Sequence, residues 1–263
     1  MILSDRNEFV NCITVDVDMQ YIARYKDLIL KSVYQPIFDH NMVQVGVEAL
    51  VRITNSVGHI IRPDEFFHSP DTNACDKINV ERLSRVIHIR NFSQSTIRNL
   101  QLFLNVLPDV GELFATENIS DSLLNKRLKE LNICNSQIIM ELVELDANCE
   151  IQLKHAATSL TDNGFKIAID DFGSNASTEA RVRHITPNIL KVDRSLMIDF
   201  EKGKHEQIHL ALDLAKQINA KTVIEGIETQ EQLEAMQALG FDMYQGYHLA
   251  MPVPIQLNTQ LAI

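Results

Sequence analysis

The chain has 263 residues, of which 45% are hydrophobic, enough for one large barrel-like domain or two smaller ones. It carries 35 acidic and 24 basic residues, and the resulting net charge of −11 argues against a nucleic-acid polymer as partner. There is no signal-peptide pattern and no apolar run of 18 residues, so we expect no membrane insertion. The four widely spaced cysteines form no CxxC pair, which is typical of reduced cytosolic thiols.

The first part of the chain differs in pattern from the rest. The apolar spacing of residues 18–31 predicts a helix. Strand patterns follow at residues 32–39 and 43–53, and the short polar link between them predicts an antiparallel pair. We therefore expect a partly helical N-terminal extension, residues 1–31, before one domain that covers residues 32–263.

Strand and helix patterns then alternate along the chain. Further strands are expected at residues 102–107, 138–144, 166–170, 189–193, 221–228 and 242–247. Helical spacing appears at residues 79–98, 120–131, 149–163, 205–220 and 230–239. This alternation predicts an α/β fold, a (β/α)8 TIM-like barrel with an antiparallel first strand pair. A doubly wound open sheet is the alternative.

Polar residues follow the apolar part of seven of the eight predicted strands. These residues are Glu48, Asn105, Glu141, Asp170, Lys191, Glu225 and Gln245. Asp171 adds a second carboxylate directly after Asp170. In a parallel barrel the carboxyl ends of the strands share one rim, where catalytic groups gather. Any one of these residues would suit a strand-end turn, but seven in register favour a functional site.

The charges at this rim require a counter-ion. Two like charges ~4 Å apart repel by about 4 kcal/mol at an effective dielectric of ~20, so the five acids need protonation or bound cations. Carboxylates and the Asn105 amide are oxygen ligands, which suit Mg²⁺ or Mn²⁺ before Ca²⁺ and disfavour zinc. Adjacent Asp170 and Asp171 would serve two ions, a known arrangement for cleaving phosphodiesters.

The motifs around these residues resemble those of the EAL-domain cyclic di-GMP phosphodiesterases. Glu48-Ala49-Leu50 matches the tripeptide that is the signature of that family. Seven motifs follow in family order over about residues 32–255: YQPIFD…VGVEALVR (34–52), NVLP (105–108), ELVE (141–144), DDFG (170–173), KVDRS (191–195), IEGIET (224–229) and QGYHLAMP (245–252).

The resemblance implies a cytoplasmic bacterial enzyme, expected to be a homodimer, that opens cyclic di-GMP to linear pGpG with two Mg²⁺ or Mn²⁺ ions. The implied metal ligands are Glu48, Asn105, Glu141, Asp170, Asp171 and Glu225. The implied catalytic residues are Glu48, Asp171, Lys191 and Glu225. The implied substrate-binding residues are Gln35, Arg52 and Gln245. Glu144 is implied to brace the loop after Asp171 without binding metal.

Within this set the resemblance implies distinct roles. Asp170 would bridge the two ions, and Asp171 would hold the second of them. Lys191 and Glu225 would position and activate the attacking water, with Glu225 as candidate general base. Gln245 would help to orient the site. Arg52 suits a phosphate oxygen, because its fork of donors is rigid and always charged.

Two other functions compete with this interpretation. After DDFG the sequence SNASTEA (174–180) replaces a loop of Thr-Gly-Tyr-Ser-Ser-Leu type, so one alternative is a weak or inactive EAL module that acts as a cyclic di-GMP receptor or protein-interaction domain. Retention of every implied ligand favours the enzyme. The HExxH string at residues 205–209 matches zinc proteases, but it has no obvious third ligand. Apolar spacing also predicts that Ile208, Leu212, Ala215 and Ile218 form the face that packs that helix on the barrel.

Overall fold

The computed structural model describes residues 2–107, 119–142, 150–174 and 178–258. Its strands are β1 (Ile13–Val15), β2 (Tyr21–Tyr25), β3 (Leu28–Asp39), β4 (Gln44–Asn55), β5 (Ile60–Ile61), β6 (Gln101–Val106), β7 (Ile138–Leu142), β8 (Lys166–Phe172), β9 (Ile189–Val192), β10 (Lys221–Ile224) and β11 (Met243–Tyr244). Its α-helices are α1 (Arg6–Cys12), α2 (Pro63–His68), α3 (Ala74–Ser93), α4 (Leu123–Glu130), α5 (Glu150–Asp162), α6 (Glu179–Ile185), α7 (Arg194–Glu201), α8 (Glu206–Ile218) and α9 (Gln230–Leu239).

Eight of these strands close into a barrel in the order β3-β4-β6-β7-β8-β9-β10-β11, with β11 returning to β3. The strands from β4 to β11 in that circuit pair in parallel. Strand β3 is antiparallel to both of its neighbours, β4 and β11. The predicted barrel with an antiparallel first strand pair is therefore confirmed, and the open-sheet alternative is wrong.

The apolar pattern of the strands explains why the barrel is a packed core. All five residues of β7 are buried, because one face lines the interior and the other contacts helices. A compact layer inside the barrel takes one residue from each of seven strands: Ile37, Phe103, Ile139, Ala168, Ile189, Val223 and Met243. The strand residues that alternate with these, such as Leu104 and Met140, belong to the larger outer core, which includes residues of the helices. The interior layer forms the floor of the barrel mouth.

The predicted helix over residues 18–31 is wrong. Strands β2 and β3 form an antiparallel hairpin there, turning at Lys26, whose φ of 54° is left-handed. Alternate residues Leu28, Leu30 and Ser32 are buried, so the actual pattern has the two-residue period of a strand. Strand β3 runs without a break across the expected boundary between the N-terminal extension and the domain, at residues 31 and 32. The sequence interpretation also missed α1, α2, α6, α7 and the short strands β1 and β5.

Two further expectations concern thiols and membranes. Cys12, Cys75 and Cys134 are free thiols, as their spacing predicts, and Cys149 lies outside the described residues. Over the ranges that the structure describes, every helix is too short or too polar to cross a bilayer.

Helix α3 is anchored to the barrel through a buried histidine. The Nδ1 atom of His88 lies 2.7 Å from Oγ of Ser32, and the Tyr34 hydroxyl donates a hydrogen bond of 2.8 Å to the His88 carbonyl oxygen. The rings of Tyr34 and His88 meet edge to face with centroids 6.1 Å apart. Burial lowers the pKa of His88 to about 3.

His88 is therefore expected to make folding sensitive to acid. The unfolded chain takes up a proton near the ordinary pKa of about 6.5, whereas the folded protein does not, so stability is lost as the pH falls. Between about pH 6.5 and about pH 4.5 this loss amounts to about 2 kcal/mol. Urea unfolding at both pH values should show a shallower pH dependence for His88→Gln than for the wild type. His59→Gln, at an exposed position, is the control, and equal slopes in all three proteins would contradict the prediction.

Candidate active site

The predicted site residues form a polar layer directly above the apolar floor of the barrel. Side chains two residues apart on a strand point to the same face. Six polar residues each follow a floor residue by two positions: Asn105, Glu141, Asp170, Lys191, Glu225 and Gln245. The backbone nitrogen of Glu225 donates a hydrogen bond to the Val192 carbonyl oxygen, and that of Gln245 donates one to the Ile224 carbonyl oxygen. These bonds continue the parallel pairing of the strands as far as the polar layer. Gln35 and Glu48 are register partners on the antiparallel pair and complete the ring.

Lys191 lies at the centre of this layer with only 1% of its side chain exposed. Its ammonium nitrogen is 2.7 Å from Oε1 of Glu141 and 2.9 Å from both Oδ1 of Asp170 and Oε1 of Glu225. Oε2 of Glu48 lies 3.6 Å away. Among the described residues, four carboxylates thus surround one ammonium group, and the site carries excess negative charge.

The charge excess sets the direction of the pKa shifts. Burial alone would lower the pKa of Lys191, but the surrounding carboxylates outweigh burial and raise it well above its ordinary value. The raised pKa favours the ammonium form of Lys191. Burial raises the pKa of Glu141 and Glu225 well above their ordinary values, and repulsion from Asp170 and Glu48 adds to the effect against the attraction of Lys191. A further cation at the site would favour their ionised forms.

Two amides fix the orientation of Glu48. Nδ2 of Asn105 donates a hydrogen bond of 3.1 Å to Oε1 of Glu48, and Nε2 of Gln245 donates one of 2.7 Å to Oε2. With its NH₂ group on Glu48, Asn105 keeps its carbonyl oxygen as an acceptor or ligand. Gln35 is buried beside them, and its Nε2 is 3.4 Å from the Ala250 carbonyl oxygen.

Asp171 joins Asp170 at the mouth because the backbone leaves the strand conformation there. Adjacent strand residues normally face opposite sides of a sheet. Asp171 has φ of 52°, in the left-handed region, and Ser174 returns two hydrogen bonds to its carbonyl oxygen, 3.0 Å from N and 2.8 Å from Oγ. Carboxylate oxygens of Asp170, Asp171 and Glu225 consequently lie within 4.8 Å of one another.

These groups fit a hard divalent cation. The cluster of Asp170, Asp171 and Glu225 offers carboxylate oxygens at a spacing that one ion can bridge. Oε2 of Glu141 is buried and accepts no hydrogen bond from any residue in the described ranges, so it is a further oxygen available to a cation. Neither sulfur nor imidazole contributes to this cluster, which disfavours zinc.

One implied residue, Arg52, lies apart from this centre. Arg52 is exposed, four residues beyond Glu48 on the same face of β4, and its guanidinium donates a hydrogen bond of 3.1 Å to the Val51 carbonyl oxygen. Glu144 lies outside the residues that the structure describes.

An ion pair at the rim was missed by the sequence interpretation. Arg194 and Glu228 form a two-pronged pair with N–O distances of 2.5 and 2.6 Å, joining the segments that follow β9 and β10. The Arg194 side chain covers Gly226, where a β-carbon would lie 2.7 Å from Cδ and where φ is 69°. The pair therefore holds the turn next to Glu225. Their spacing in the sequence could have indicated the pair, since Arg194 follows Lys191 by three residues and Glu228 follows Glu225 by three.

The HExxH string does not form a site in the described structure. Helix α8 begins at Glu206, so His205 precedes it and stacks on Phe200 with ring centroids 4.4 Å apart. Ile208 and Ala215 are buried in the core, and Leu212 and Ile218 pack against it partly buried, as predicted. The metal-type cluster found among the described residues is the one at the mouth.

A closed α/β barrel with an oxygen-lined acidic mouth defines a class of barrel proteins suited to divalent-metal chemistry. Within that class, residues 25–252 match the family model of the EAL domain, so the chain belongs to the EAL-domain family.

Three related proteins illustrate the similarity. The probable cyclic di-GMP phosphodiesterase PdeN of Escherichia coli (strain K12) is 29% identical over 227 residues, which are 84% of this chain and 43% of PdeN. The Bacillus subtilis YkuI protein, solved with substrate c-di-GMP and calcium, has a TM-score of 0.75 at 25% identity, covering 87% of this chain and 57% of that one. The Klebsiella pneumoniae BlrP1 manganese/cy-diGMP complex shares the fold, with a TM-score of 0.73 at 24% identity, covering 86% and 57%. This chain thus spans less than half the length of PdeN.

Proposed function

We propose that this chain hydrolyses cyclic di-GMP to linear pGpG with the help of two bound Mg²⁺ or Mn²⁺ ions. The proposal rests above all on the four carboxylates that surround Lys191 within 3.6 Å, an excess of negative charge that a dication would offset. Family membership and the complexes of related proteins with the dinucleotide support the choice of substrate.

In this proposal Glu48, Asn105, Glu141 and Asp170 would hold one ion, and Asp170 and Asp171 would hold the second. Bound ions would neutralise the acids, lower the pKa of a coordinated water and polarise the phosphate. Glu225 accepts the proton of the attacking water while the oxygen bonds to phosphorus. Lys191 stays protonated and holds Asp170 and Glu225 in place through its 2.9 Å contacts. The bond from phosphorus to the ribose 3′ oxygen breaks, and that oxygen takes up a proton from solvent water, so the ring opens at one phosphodiester.

Binding of the dinucleotide is assigned to residues around the rim. Arg52 would donate to a phosphate oxygen from its exposed position at the end of β4. Gln245 orients Glu48 through their 2.7 Å hydrogen bond, and Gln35 lies opposite Glu48 in the strand register. Glu144 would brace the loop after Asp171. We also propose that the chain acts in the bacterial cytoplasm and forms a homodimer. Light scattering of the purified chain tests the dimer.

The assay that tests the proposal measures pGpG formation by chromatography. Purified chain is mixed with cyclic di-GMP in Mg²⁺, in Mn²⁺ and in excess EDTA. We expect product with either metal and none in EDTA. Intact cyclic di-GMP in all three samples would refute hydrolysis by this chain.

A second candidate is a weak or inactive module that binds cyclic di-GMP or a protein without cleaving the nucleotide. It is favoured by one observation, the SNASTEA sequence that replaces the family loop directly after DDFG. Calorimetry separates the two candidates: saturable binding of cyclic di-GMP in Mg²⁺ without pGpG would select the receptor.

Calcium is expected to support binding of the dinucleotide but little cleavage. Its coordination is larger and looser than that of Mg²⁺, which would misplace the reacting groups. A misplacement of about 1 Å costs roughly 100-fold in rate, so we expect at least a tenfold slower reaction, as an order of magnitude. Initial rates at saturating calcium and magnesium give the comparison, and equal rates would count against strict metal geometry.

A further inference from the structure

A second cavity lies on the outside of the barrel, separate from the mouth. It has a volume of about 500 Å³ and is lined mainly by α1, the middle of α3 and α4. Small-molecule sites typically measure roughly 300–1,000 Å³. None of the polar-layer residues at the mouth lines this cavity, and the proposed hydrolysis makes no use of it.

The charge of the cavity is opposite to that of the chain. Six basic residues line it against two acidic ones, Asp121 and Glu130, whereas acids outnumber bases by 11 in the whole sequence. The basic residues are Arg6, Arg82, Arg85, Arg90, Lys126 and Arg127. Those of α3 fall at positions 82, 85 and 90, which share one helix face with apolar Val86 and Ile89. A local excess of positive charge on an acidic protein is an electrostatic signature of an anion-binding surface.

Two of these arginines keep donors that the protein does not use. Nε of Arg90 and Nε of Arg127 are buried and donate no hydrogen bond to any residue of the described ranges. Arg90 rests on the Tyr21 ring, 5.0 Å from its centroid, and Arg127 contacts Glu130 at 2.7 Å through Nη1. Burial, followed by repulsion from Arg127 and Arg6, lowers the pKa of Arg90. A buried guanidinium donor without an acceptor is costly, and an anion would relieve that cost.

Apart from Ser4 and Ser122, the rest of the cavity wall is apolar. Phe9 comes from α1, Ile13 from the beginning of β1, Ile89 from α3, and Leu123 and Leu124 from α4. Leu123 is partly exposed, with 43% of its surface accessible, at the beginning of α4. An ion as small as free phosphate would leave this surface uncovered. The wall therefore matches a ligand that has an apolar or aromatic body beside its charged group.

We propose that this cavity is a second ligand site, which binds a small amphipathic anion. A phosphate, sulfonate or carboxylate head group bonds to the guanidinium groups of Arg90 and Arg127. The apolar body lies on Phe9, Ile89 and Leu124. A small molecule is favoured over an acidic protein segment because the volume of about 500 Å³ falls within the range of small-molecule sites.

The test uses 8-anilinonaphthalene-1-sulfonate as fluorescent probe, with dodecanoate below its micellar concentration as competitor. We expect one saturable site, displacement by dodecanoate, and at least a tenfold weaker probe affinity in Arg90→Met/Arg127→Met. Lys202→Met, an exposed charge elsewhere, and Asp170→Asn at the barrel mouth should keep the wild-type affinity. The Asp170→Asn control separates this site from the proposed hydrolysis.

A cavity-filling variant provides an independent arm. Leu124→Trp keeps every arginine but reduces the volume of the cavity, so it should weaken the binding of both the probe and dodecanoate. If circular dichroism shows that the double arginine variant is unfolded, Arg127→Met alone replaces it, since 30% of that side chain is exposed. Probe affinity unchanged in the arginine and tryptophan variants would overturn the proposal. Displacement by an oligoglutamate peptide but not by dodecanoate would overturn it in favour of an acidic protein partner.

Discussion

We expect Lys191→Met to lower the free energy of unfolding by about 3–5 kcal/mol in EDTA, because removing one partner of a buried ion pair leaves the other uncompensated. Here the loss would leave Glu141, Asp170 and Glu225, each within 2.9 Å of the ammonium nitrogen, facing one another. The destabilisation should be greater at about pH 8 than at about pH 5, where the acids more readily hold protons. Urea unfolding of the wild type and of Lys191→Met at the two pH values measures this destabilisation.

Lys202→Met is the matched control for this experiment. That side chain is 62% exposed, and its nearest ion pair, with Asp199, has an N–O distance of 3.9 Å. A surface change of this kind typically alters stability by about 0.5 kcal/mol or less. Added Mn²⁺ should return part of the stability lost in Lys191→Met, since a dication replaces the missing charge. A Lys191→Met protein as stable as the control would show that the mouth does not depend on cations.

Asp170→Asn is expected to reduce the rate of cyclic di-GMP hydrolysis by at least about 100-fold while the fold stays intact. Asp170 is the shared element of the site: it contacts Lys191 and lies in the cluster with Asp171 and Glu225. Asparagine has the same shape but lacks the charge that a dication needs. Initial rates are measured in Mg²⁺ and in Mn²⁺, and the affinity for Mn²⁺ is measured by calorimetry. Both the rates and the affinity should be lower in Asp170→Asn than in the wild type.

The control for that variant is Asp213→Asn, which makes the same change on the exposed face of α8. It should retain the wild-type rate. Glu48→Ala, which removes the acid held by Asn105 and Gln245, should resemble Asp170→Asn. Wild-type turnover in Asp170→Asn or Glu48→Ala would break the assignment of these acids to the metal site.

The barrel and its polar layer were predictable because both follow from a two-residue period. Apolar strands alternating with helices indicate the barrel, and a polar residue two positions after Phe103, Ile139, Ala168 or Ile189 must lie on the same interior face. The central position of Lys191 follows from the same rule. The position of Asp171 does not, since it requires a left-handed backbone that alternation would not indicate.

Other features depend on contacts that no local pattern reveals. Tyr21, Tyr25 and Leu28 fit a helical spacing, and the pairing of β2 with β3 overrides it. The outer cavity joins Arg6 to Glu130, residues 124 positions apart, at 3.4 Å. Arg194 and Glu228 meet because β9 and β10 are neighbours. Such long-range placement becomes visible once the strand order is known.

The most direct test of the site is a crystal of the chain grown with Mn²⁺ and cyclic di-GMP, with anomalous data collected at the manganese edge. Two manganese peaks are expected, with carboxylate oxygens of Asp170 and Asp171 within about 2.5 Å of them. Bound dinucleotide without a manganese peak, and with those acids turned away from one another, would contradict a metal-dependent mouth.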